Sequence, residues 1–267
     1  WLYNEYIKTQ SLVSKNLEIF RFDEAAKQIY QFVWHSYCDW YLEFLKPIFN
    51  SKKNTELKES RNFASFMMAN ILKMLHPFVP FFTESVWAHN NYKKVFKTNL
   101  ILSEWPEYKP IIKFNKNHDN INNLIEFISS IRSTKAELKI TPKLYCDVFF
   151  LEKSSKLASL LKNNLKLVKQ VGRINNISNS KISNNNTVQI LSMNEKISLK
   201  FSENIDLFSQ KDRISLKIDK LDKQINSLKN KLNNKAYLKN APKDIVRNDK
   251  KLLKELTVED NKLRSIV

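Results

Sequence analysis

Glycine is almost absent from this sequence, because the 267-residue chain contains only Gly172. A phosphate-binding loop needs several glycines, since its backbone must adopt left-handed conformations and approach the phosphate closely. The sequence therefore excludes a Gly-rich nucleotide loop and a dinucleotide-binding fingerprint. It also excludes an all-β fold that depends on repeated left-handed turns.

Cysteine is scarce as well: Cys38 and Cys146 are too few and too far apart for a disulfide framework or a four-ligand zinc site. We therefore expect a reducing compartment, the cytoplasm. No run of about 18 apolar residues occurs, so we expect no membrane-spanning helix and no membrane partner. The chain begins at Trp1 and its first methionine is Met67, which predicts a fragment of a longer protein.

Positive charge is abundant: 45 Lys and Arg face 27 Asp and Glu, for a net charge of +18. Codon drift toward Lys, Asn and Ile is one explanation, since the chain is rich in all three. The net charge is +5 over residues 1–117, +6 over 118–205 and +7 over 206–267, so it is densest in the shortest segment. Clustered cations are typical of phosphate binding and favour a nucleic-acid partner.

Residues 1–117 contain four segments in which apolar side chains recur about every 3.6 positions, the period of an amphipathic helix. The four predicted helices start near Leu2, Asp23, Thr55 and Pro80. Asp23 is expected to cap the second helix, and Lys46-Pro47 is expected to end it. Short connections between amphipathic helices predict an antiparallel helical bundle.

Residues 118–205 mix the two periodicities and predict a small α+β module. A helix is expected over 121–138, a strand over 144–151, and a second helix over 156–171, with the apolar residues of that helix on one side. Residues 188–191 and 197–201 are rich in apolar and β-branched residues around a polar connection, which predicts a β-hairpin.

Residues 206–267 carry the most regular pattern. The first apolar seam has the heptad spacing 4, 3, 4, 3, 4 and consists of Ile214, Ile218, Leu221, Ile225, Leu228 and Leu232. A second seam contains Leu252, Leu256, Leu263 and Ile266, and it is interrupted by Asp249 and Glu259. Two such helices in one chain predict an antiparallel coiled-coil hairpin and a monomer. The expected fold class is therefore mainly α, with bundle, module and hairpin at 1–117, 118–205 and 206–267.

Catalytic and metal-binding patterns are missing from the sequence. His35 and Cys38 lie three residues apart and could form half of a metal site, but no second pair of ligands follows. A packed helix face accounts for them, because Cys38 lies among aromatic residues. We predict no catalytic residue, no metal and no cofactor in this chain.

Two basic clusters are candidate RNA contacts. The first lies at the hairpin turn and its exit and consists of Lys235, Tyr237, Lys239, Lys243 and Arg247. Lysines neutralise phosphates and a tyrosine ring offers a stacking face to a base, although a solvated loop would tolerate the same residues. The second cluster is a stripe in the module, for which the polar face of a helix is the alternative. It consists of Arg132, Lys135, Lys139 and Lys143.

Several strings in the first segment resemble a known family. Residues 21–26 (Arg-Phe-Asp-Glu-Ala-Ala) and 32–43 (Phe-Val-Trp-His-Ser-Tyr-Cys-Asp-Trp-Tyr-Leu-Glu) resemble the anticodon-binding bundle of bacterial valine–tRNA ligases. The Leu-His-Pro-Phe string at 75–78, the Thr-Glu-Ser-Val-Trp string at 83–87 and the Ser-Glu-Trp-Pro string at 103–106 are similar to later parts of that bundle. The His-Pro-Phe and Trp-Pro elements are shared with the isoleucine and leucine enzymes.

The later segments agree with this resemblance. Residues 131–142 resemble the start of the family's C-terminal module, and residues 232–242 resemble the turn of its coiled-coil arm. The turn departs from the family in one position, because Ala236 stands where the family tends to place glycine. The two ATP-binding motifs of the family and its editing domain are missing from this sequence.

The resemblance implies a division of labour. The whole enzyme would attach valine to tRNA(Val) with ATP, through an aminoacyl-adenylate, and ATP would bind in a catalytic domain that this chain lacks. The bundle would meet the anticodon end, with Arg21 and Lys46 as candidate contacts, and the arm would lie against the outer corner of the tRNA.

Two alternatives remain at this level. The regular seams could pair with a protein partner, which would make the chain a coiled-coil interaction module without RNA binding. The chain could also be the equivalent region of another class I synthetase. The isoleucine enzyme usually closes with a cysteine zinc module, for which this sequence lacks the ligands.

Overall fold

The computed structural model describes residues 1–49, 54–107, 115–150, 156–180, 187–193, 195–202, 207–234, 237, 239 and 241–266. The chain divides into two compact units, Trp1–Asn122 and Asn123–Val267. The second unit includes both the α+β module and the helical hairpin. The division into three segments at 117/118 and 205/206 stays a prediction.

The first unit is helical. Its helices are α1 (Leu2–Glu18), α2 (Phe22–Gln31), α3 (Leu42–Phe49), α4 (Asn54–Leu75), α5 (Pro80–His89) and α6 (Tyr92–Phe96), and α7 (Asn115–Glu137) begins here. A π-helical segment (Phe32–Tyr41) joins α2 to α3 without a break, and a short 3₁₀ turn (Leu100–Leu102) follows α6. The four expected helices are confirmed.

Two of the expected helix boundaries are wrong. The residue that precedes α2 is Arg21, so Asp23 lies inside the first turn and acts on the helix dipole rather than as a cap. Pro47 lies inside α3, which continues to Phe49. A proline inside a helix costs about 3 kcal/mol. Burial of Phe44, Leu45 and Pro47 offsets this cost, since each large apolar side chain contributes about 1.5–3 kcal/mol.

The core of the first unit lies between α1, α2, the π-helical segment and α4. Its fully buried members include Tyr6, Val13, Ala25, Ile29, Met67 and Met74. Phe32 and Tyr37 are both buried and lie five residues apart, the hydrogen-bonding period of a π-helix. In the preceding α2, the buried face includes Ala25 and Ile29, whereas Ala26 is exposed.

The second unit contains a four-stranded sheet. Its strands are β1 (Cys146–Phe150), β2 (Ile174–Ser178), β3 (Thr187–Ser192) and β4 (Glu195–Phe201), in the spatial order β2-β1-β4-β3. β3 and β4 are antiparallel, which confirms the expected hairpin, and β1 is parallel to β2. The helix expected over 156–171 is two helices, α8 (Lys156–Asn163) and α9 (Leu165–Gly172), which break at Asn164.

The helical hairpin consists of α10 (Leu207–Asn233) and α11 (Lys243–Ile266), which pack against each other. Ile214, Ile218 and Ile225 of the first seam are buried, and so is Leu263 of the second. Leu252 was expected in the second seam, but it is 43% exposed. Between the two helices, Tyr237 and Lys239 are helical. The mainly α fold class is confirmed.

Candidate nucleic-acid interface

The turn cluster of the hairpin is described for four of its five predicted residues. Lys239 and Arg247 are exposed, Tyr237 is half-buried, and Lys243 begins α11. Lys235 lies outside the described residues. Two exposed cations and one half-buried aromatic side chain therefore lie at this end of the hairpin.

Tyr237 is engaged by its own chain. Its hydroxyl donates a hydrogen bond of 2.6 Å to Oδ2 of Asp249. The Nζ of Lys231 lies 4.8 Å from the centre of the Tyr237 ring and 2.8 Å from the same Asp249 oxygen. The sequence prediction treated the ring as a free stacking face, whereas the structure places an ammonium over it.

The electrostatics of this three-residue group are mutually reinforcing. Hydrogen bonds from Lys231 and Tyr237 lower the pKa of the Asp249 carboxyl below its ordinary value. The hydrogen bond to Asp249 raises the pKa of Lys231, and Asp249 likewise raises the pKa of the Tyr237 phenol. At neutral pH the group therefore holds an ammonium, a carboxylate and a neutral phenol.

Sequence reasoning missed Lys231 and Asp249 as partners of Tyr237. A signal was available, because Asp249 is one of the two acidic residues that interrupt the second apolar seam. The other interruption, Glu259, has a similar explanation at the opposite end of the hairpin. Lys217 lies 2.9 Å from Glu259 and 3.3 Å from Glu137 at the end of α7.

The basic stripe of the module is only partly at the surface. Arg132, Lys139 and Lys143 are exposed. Lys135 is 2% exposed, and its Nζ donates a hydrogen bond of 2.6 Å to the buried backbone carbonyl of Leu144. This corrects its prediction as an RNA contact, because an amine held in the interior cannot reach a phosphate. It also does not lie on the polar helix face that was the alternative.

The charge environment of Lys135 reveals a neighbour that the sequence did not indicate. Burial lowers the pKa of Lys135, and the nearby positive charges of Arg173 and Arg132 act in the same direction. Arg173 directly follows α9. Arg132 of α7 reaches the same end of α9, where its Nη2 donates to the carbonyl of Val171 at 3.4 Å. Two guanidinium groups therefore approach one region of the module.

Arg173 is positioned by an aromatic ring. Its guanidinium carbon lies 5.7 Å from the centre of the Tyr145 ring, and its Nη1 lies 3.2 Å from the Tyr145 hydroxyl. Tyr145 is 37% exposed and Arg173 is exposed. An exposed arginine on an exposed ring is the same combination of charge and π-surface that suits RNA. The available sequence signal was the Gly172-Arg173 pair after an amphipathic helix.

The two candidate anticodon contacts are exposed and individually paired. Arg21 Nη2 lies 3.5 Å from Glu24, and Lys46 pairs with Glu43. Aromatic surface lies between them in sequence, because Tyr30 and Trp34 stack with ring planes 5° apart and are 61% and 53% exposed. Such a pair can accept a base, so these two rings join the candidates.

His35, the candidate for half of a metal site, has an acidic neighbour on its own helix. His35 Nδ1 lies 3.3 Å from Asp39 on the next turn. Over the residues the structure describes, no group of three or more His, Cys, Asp and Glu could hold a metal ion. Over that same part of the chain, every helix is too short or too polar to cross a bilayer.

Comparison with known proteins places these features in a family. Residues 1–150 match the family model described as the anticodon-binding domain of tRNA ligase. The chain belongs to this family of anticodon-binding domains. Residues 206–266, which include the hairpin with Tyr237 and Asp249, match a second model, the valyl-tRNA synthetase tRNA binding arm. The resemblance that the sequence motifs indicated is confirmed.

Curated relatives of this anticodon-binding chain carry the name valine–tRNA ligase. The protein from Pelagibacter ubique is 35% identical over 94% of the chain, and that from Agrobacterium fabrum is 30% identical over 99%. The protein from Rhizobium meliloti is 31% identical over 98% of the chain. The chain spans 28% of the length of each of these relatives.

Proposed function

We propose that this chain is the tRNA-binding part of a valine–tRNA ligase and that its partner is tRNA(Val). The whole enzyme attaches valine to that tRNA with ATP during translation in the cytoplasm. ATP binds in the catalytic domain of the parent enzyme, and this chain contributes no catalytic residue. The observation that carries the proposal is the order of two tRNA-binding modules in one chain, with its densest positive charge in the second.

The hairpin suits a tRNA because it is long, basic and narrow. The 27 residues of α10 span about 40 Å at 1.5 Å per residue. Phosphate contacts along such a lever position the RNA without reading its sequence, whereas base contacts supply specificity. The hairpin therefore supplies grip, and base reading falls to the bundle, where Arg21, Lys46, Tyr30 and Trp34 are the candidates.

The first prediction concerns binding and its salt dependence. The purified chain should bind a tRNA(Val) transcript, and raising NaCl from about 50 to 200 mM should weaken binding by about 10³-fold or more if six or more phosphates are contacted. Fluorescence anisotropy with labelled transcript measures this directly. An affinity that does not change over that range contradicts the proposal.

Two comparisons distinguish phosphate contacts from base recognition. Arg247→Ala should bind all tRNA transcripts more weakly, and by about the same factor. The slope of log affinity against log salt concentration should become less steep by about one. A transcript with a substituted anticodon should bind the wild-type chain more weakly than tRNA(Val). If both transcripts bind equally well, the bundle contributes no base recognition in this chain.

A further inference from the structure

Asp249 is an unexpected residue on a basic hairpin that is proposed to bind RNA. It interrupts an apolar seam, and its negative charge repels phosphate. By charge alone, any acidic residue here weakens RNA binding. Yet Asp249 lies at the end of the hairpin that carries Lys239 and Arg247, and its side chain is only 14% exposed.

Apolar packing is weak at this end of the hairpin. Ile214, Ile218 and Ile225 are 1%, 7% and 5% exposed, but Leu228 and Leu232 further along the same seam are only partly buried. Leu252 on the opposing helix is 43% exposed. Burial of apolar side chains therefore stabilises the hairpin where it meets the module and much less near its turn.

Near the turn the two helices are linked by polar contacts, and several of these contacts involve Tyr237. The Tyr237 hydroxyl donates to Asp249, its backbone N–H donates to Oδ1 of Asn234 at 3.3 Å, and its carbonyl accepts the N–H of Ala241 at 2.9 Å. Lys231, in the last turn of α10, reaches the same Asp249 oxygen. Asp249 thus joins the end of one helix, the turn and the other helix.

We propose that Lys231, Tyr237 and Asp249 form a clasp that holds Tyr237 between the two helices of the hairpin for RNA binding, with Asp249 as its positioning residue. The clasp carries one positive and one negative charge, so it does not attract phosphate by itself. Its effect is to immobilise Tyr237 before RNA binds, because groups that are already immobilised lose less entropy on binding. This inference rests on the proposed tRNA-binding function.

The test distinguishes the loss of a negative charge from the loss of the clasp. Asp249→Ala and Asp219→Ala each remove one negative charge from the hairpin, and Asp219 is exposed on α10, outside the clasp. Charge alone predicts that both variants of the 267-residue chain bind tRNA(Val) transcript as tightly as wild type or more tightly. The clasp predicts that Asp249→Ala binds about 3- to 10-fold more weakly, while Asp219→Ala does not.

Tyr237→Phe is the second variant, since it keeps the ring and removes only the hydroxyl that donates to Asp249. If Tyr237 acts only by stacking, this variant binds like wild type. If the clasp holds, it weakens binding as Asp249→Ala does, and the double variant is no weaker than Asp249→Ala alone because both remove one shared contact. Amide exchange at Tyr237 should become faster in either single variant, while far-UV circular dichroism stays unchanged.

The outcomes are distinguishable from those of the proposed function. If wild type binds and Asp249→Ala binds as tightly as Asp219→Ala, the clasp is overturned and tRNA binding stands. If the effects of Asp249→Ala and Tyr237→Phe simply add, the residues act separately and the clasp is also overturned. If wild type fails to bind tRNA, the proposed function and the positioning role fall together. Should Asp249→Ala lose helicity, Tyr237→Phe decides.

Discussion

At the scale of single residues, Arg173 is the most informative position. It follows α9 with φ 55° and ψ 54°, in the left-handed region that favours glycine. A side chain there costs about 1–2 kcal/mol relative to right-handed backbone. Arg173 nevertheless stacks on Tyr145 and keeps its guanidinium at the surface. Arg173 therefore combines backbone strain with an exposed cation, and the two can be tested separately.

Substitution of Arg173 separates strain from charge. Arg173→Gly relieves the left-handed strain, whereas Arg173→Ala keeps it, so the glycine variant should be more stable than the alanine variant by up to about 1 kcal/mol. Both variants lose the cation and should bind tRNA more weakly by the same factor. In both, the slope of log affinity against log salt concentration should be less steep by about one. Urea denaturation and anisotropy measure the two effects. Wild-type affinity in both variants would place Arg173 outside the interface.

At the scale of secondary-structure elements, one polar group holds α1 against the beginning of α7 within the first unit. Glu5 Oε1 lies 2.7 Å from His118 Nε2 and 3.0 Å from Lys8 Nζ. Burial alone would raise the pKa of Glu5, but hydrogen bonds from His118 and Lys8 outweigh it, and the pKa is below its ordinary value of 4.5. Asn122 of α7 adds a second link by accepting a 2.8 Å hydrogen bond from the Trp1 indole.

The lowered pKa of Glu5 gives a stability prediction with a definite sign. A carboxyl whose pKa is lower in the folded state stabilises fully above its unfolded pKa, and that contribution is lost as pH falls through the folded value. The melting temperature of wild type should therefore exceed that of Glu5→Gln at pH 5.5 and approach it as pH is lowered below about 4.5. Glu18→Gln is the control, because Glu18 is exposed on the same helix. A difference that stays constant down to pH 3 would contradict the assignment.

Elements with a strong local pattern were predictable from the sequence, and elements that depend on distant partners were not. The β3–β4 hairpin was predicted because runs of apolar and β-branched residues flank a polar connection, and Val188, Ile190 and Leu199 of those runs are buried. β2 was missed, since it lies at the sheet edge and its exposed Asn175 and Asn176 hide the alternation. The π-helical segment was missed because its hydrogen-bonding period differs from that of the assumed α-helix.

The candidate site shows the same distinction. Spacing alone identified the cations at the hairpin turn, because they lie within a short stretch of chain. The partner of Tyr237 lies 12 residues away on another helix, and the partner of Lys135 lies beyond the end of α7. Whether a side chain is bonded to another part of the chain depends on how the chain folds back on itself. The spacing of residues in the sequence does not specify this.

At the scale of the whole molecule, net charge and seam geometry together bear on association. A net charge of +18 opposes contact between copies at low salt, and this repulsion is screened within about 10 Å at 0.1 M salt. The five buried seam residues, Ile214, Ile218, Leu221, Ile225 and Leu263, pack inside one hairpin and are not available to pair with a second chain. Ion pairs between Lys217 and Glu259 and between Arg264 and Asp222 link the two helices within that hairpin.

We therefore expect a monomer, and sedimentation velocity tests this against the coiled-coil interaction module. The mass should stay at 31.6 kDa over a 100-fold range of concentration, in both about 0.1 and 1 M NaCl, because most of the apolar surface of the seam is already buried within the hairpin. A mass that rises with concentration at both salts indicates a seam open to a second chain. Association at high salt alone would instead assign the contact to surface residues such as Phe81, which is 92% exposed. Phe81→Ser would then restore the monomer, whereas it would leave a seam-paired dimer intact.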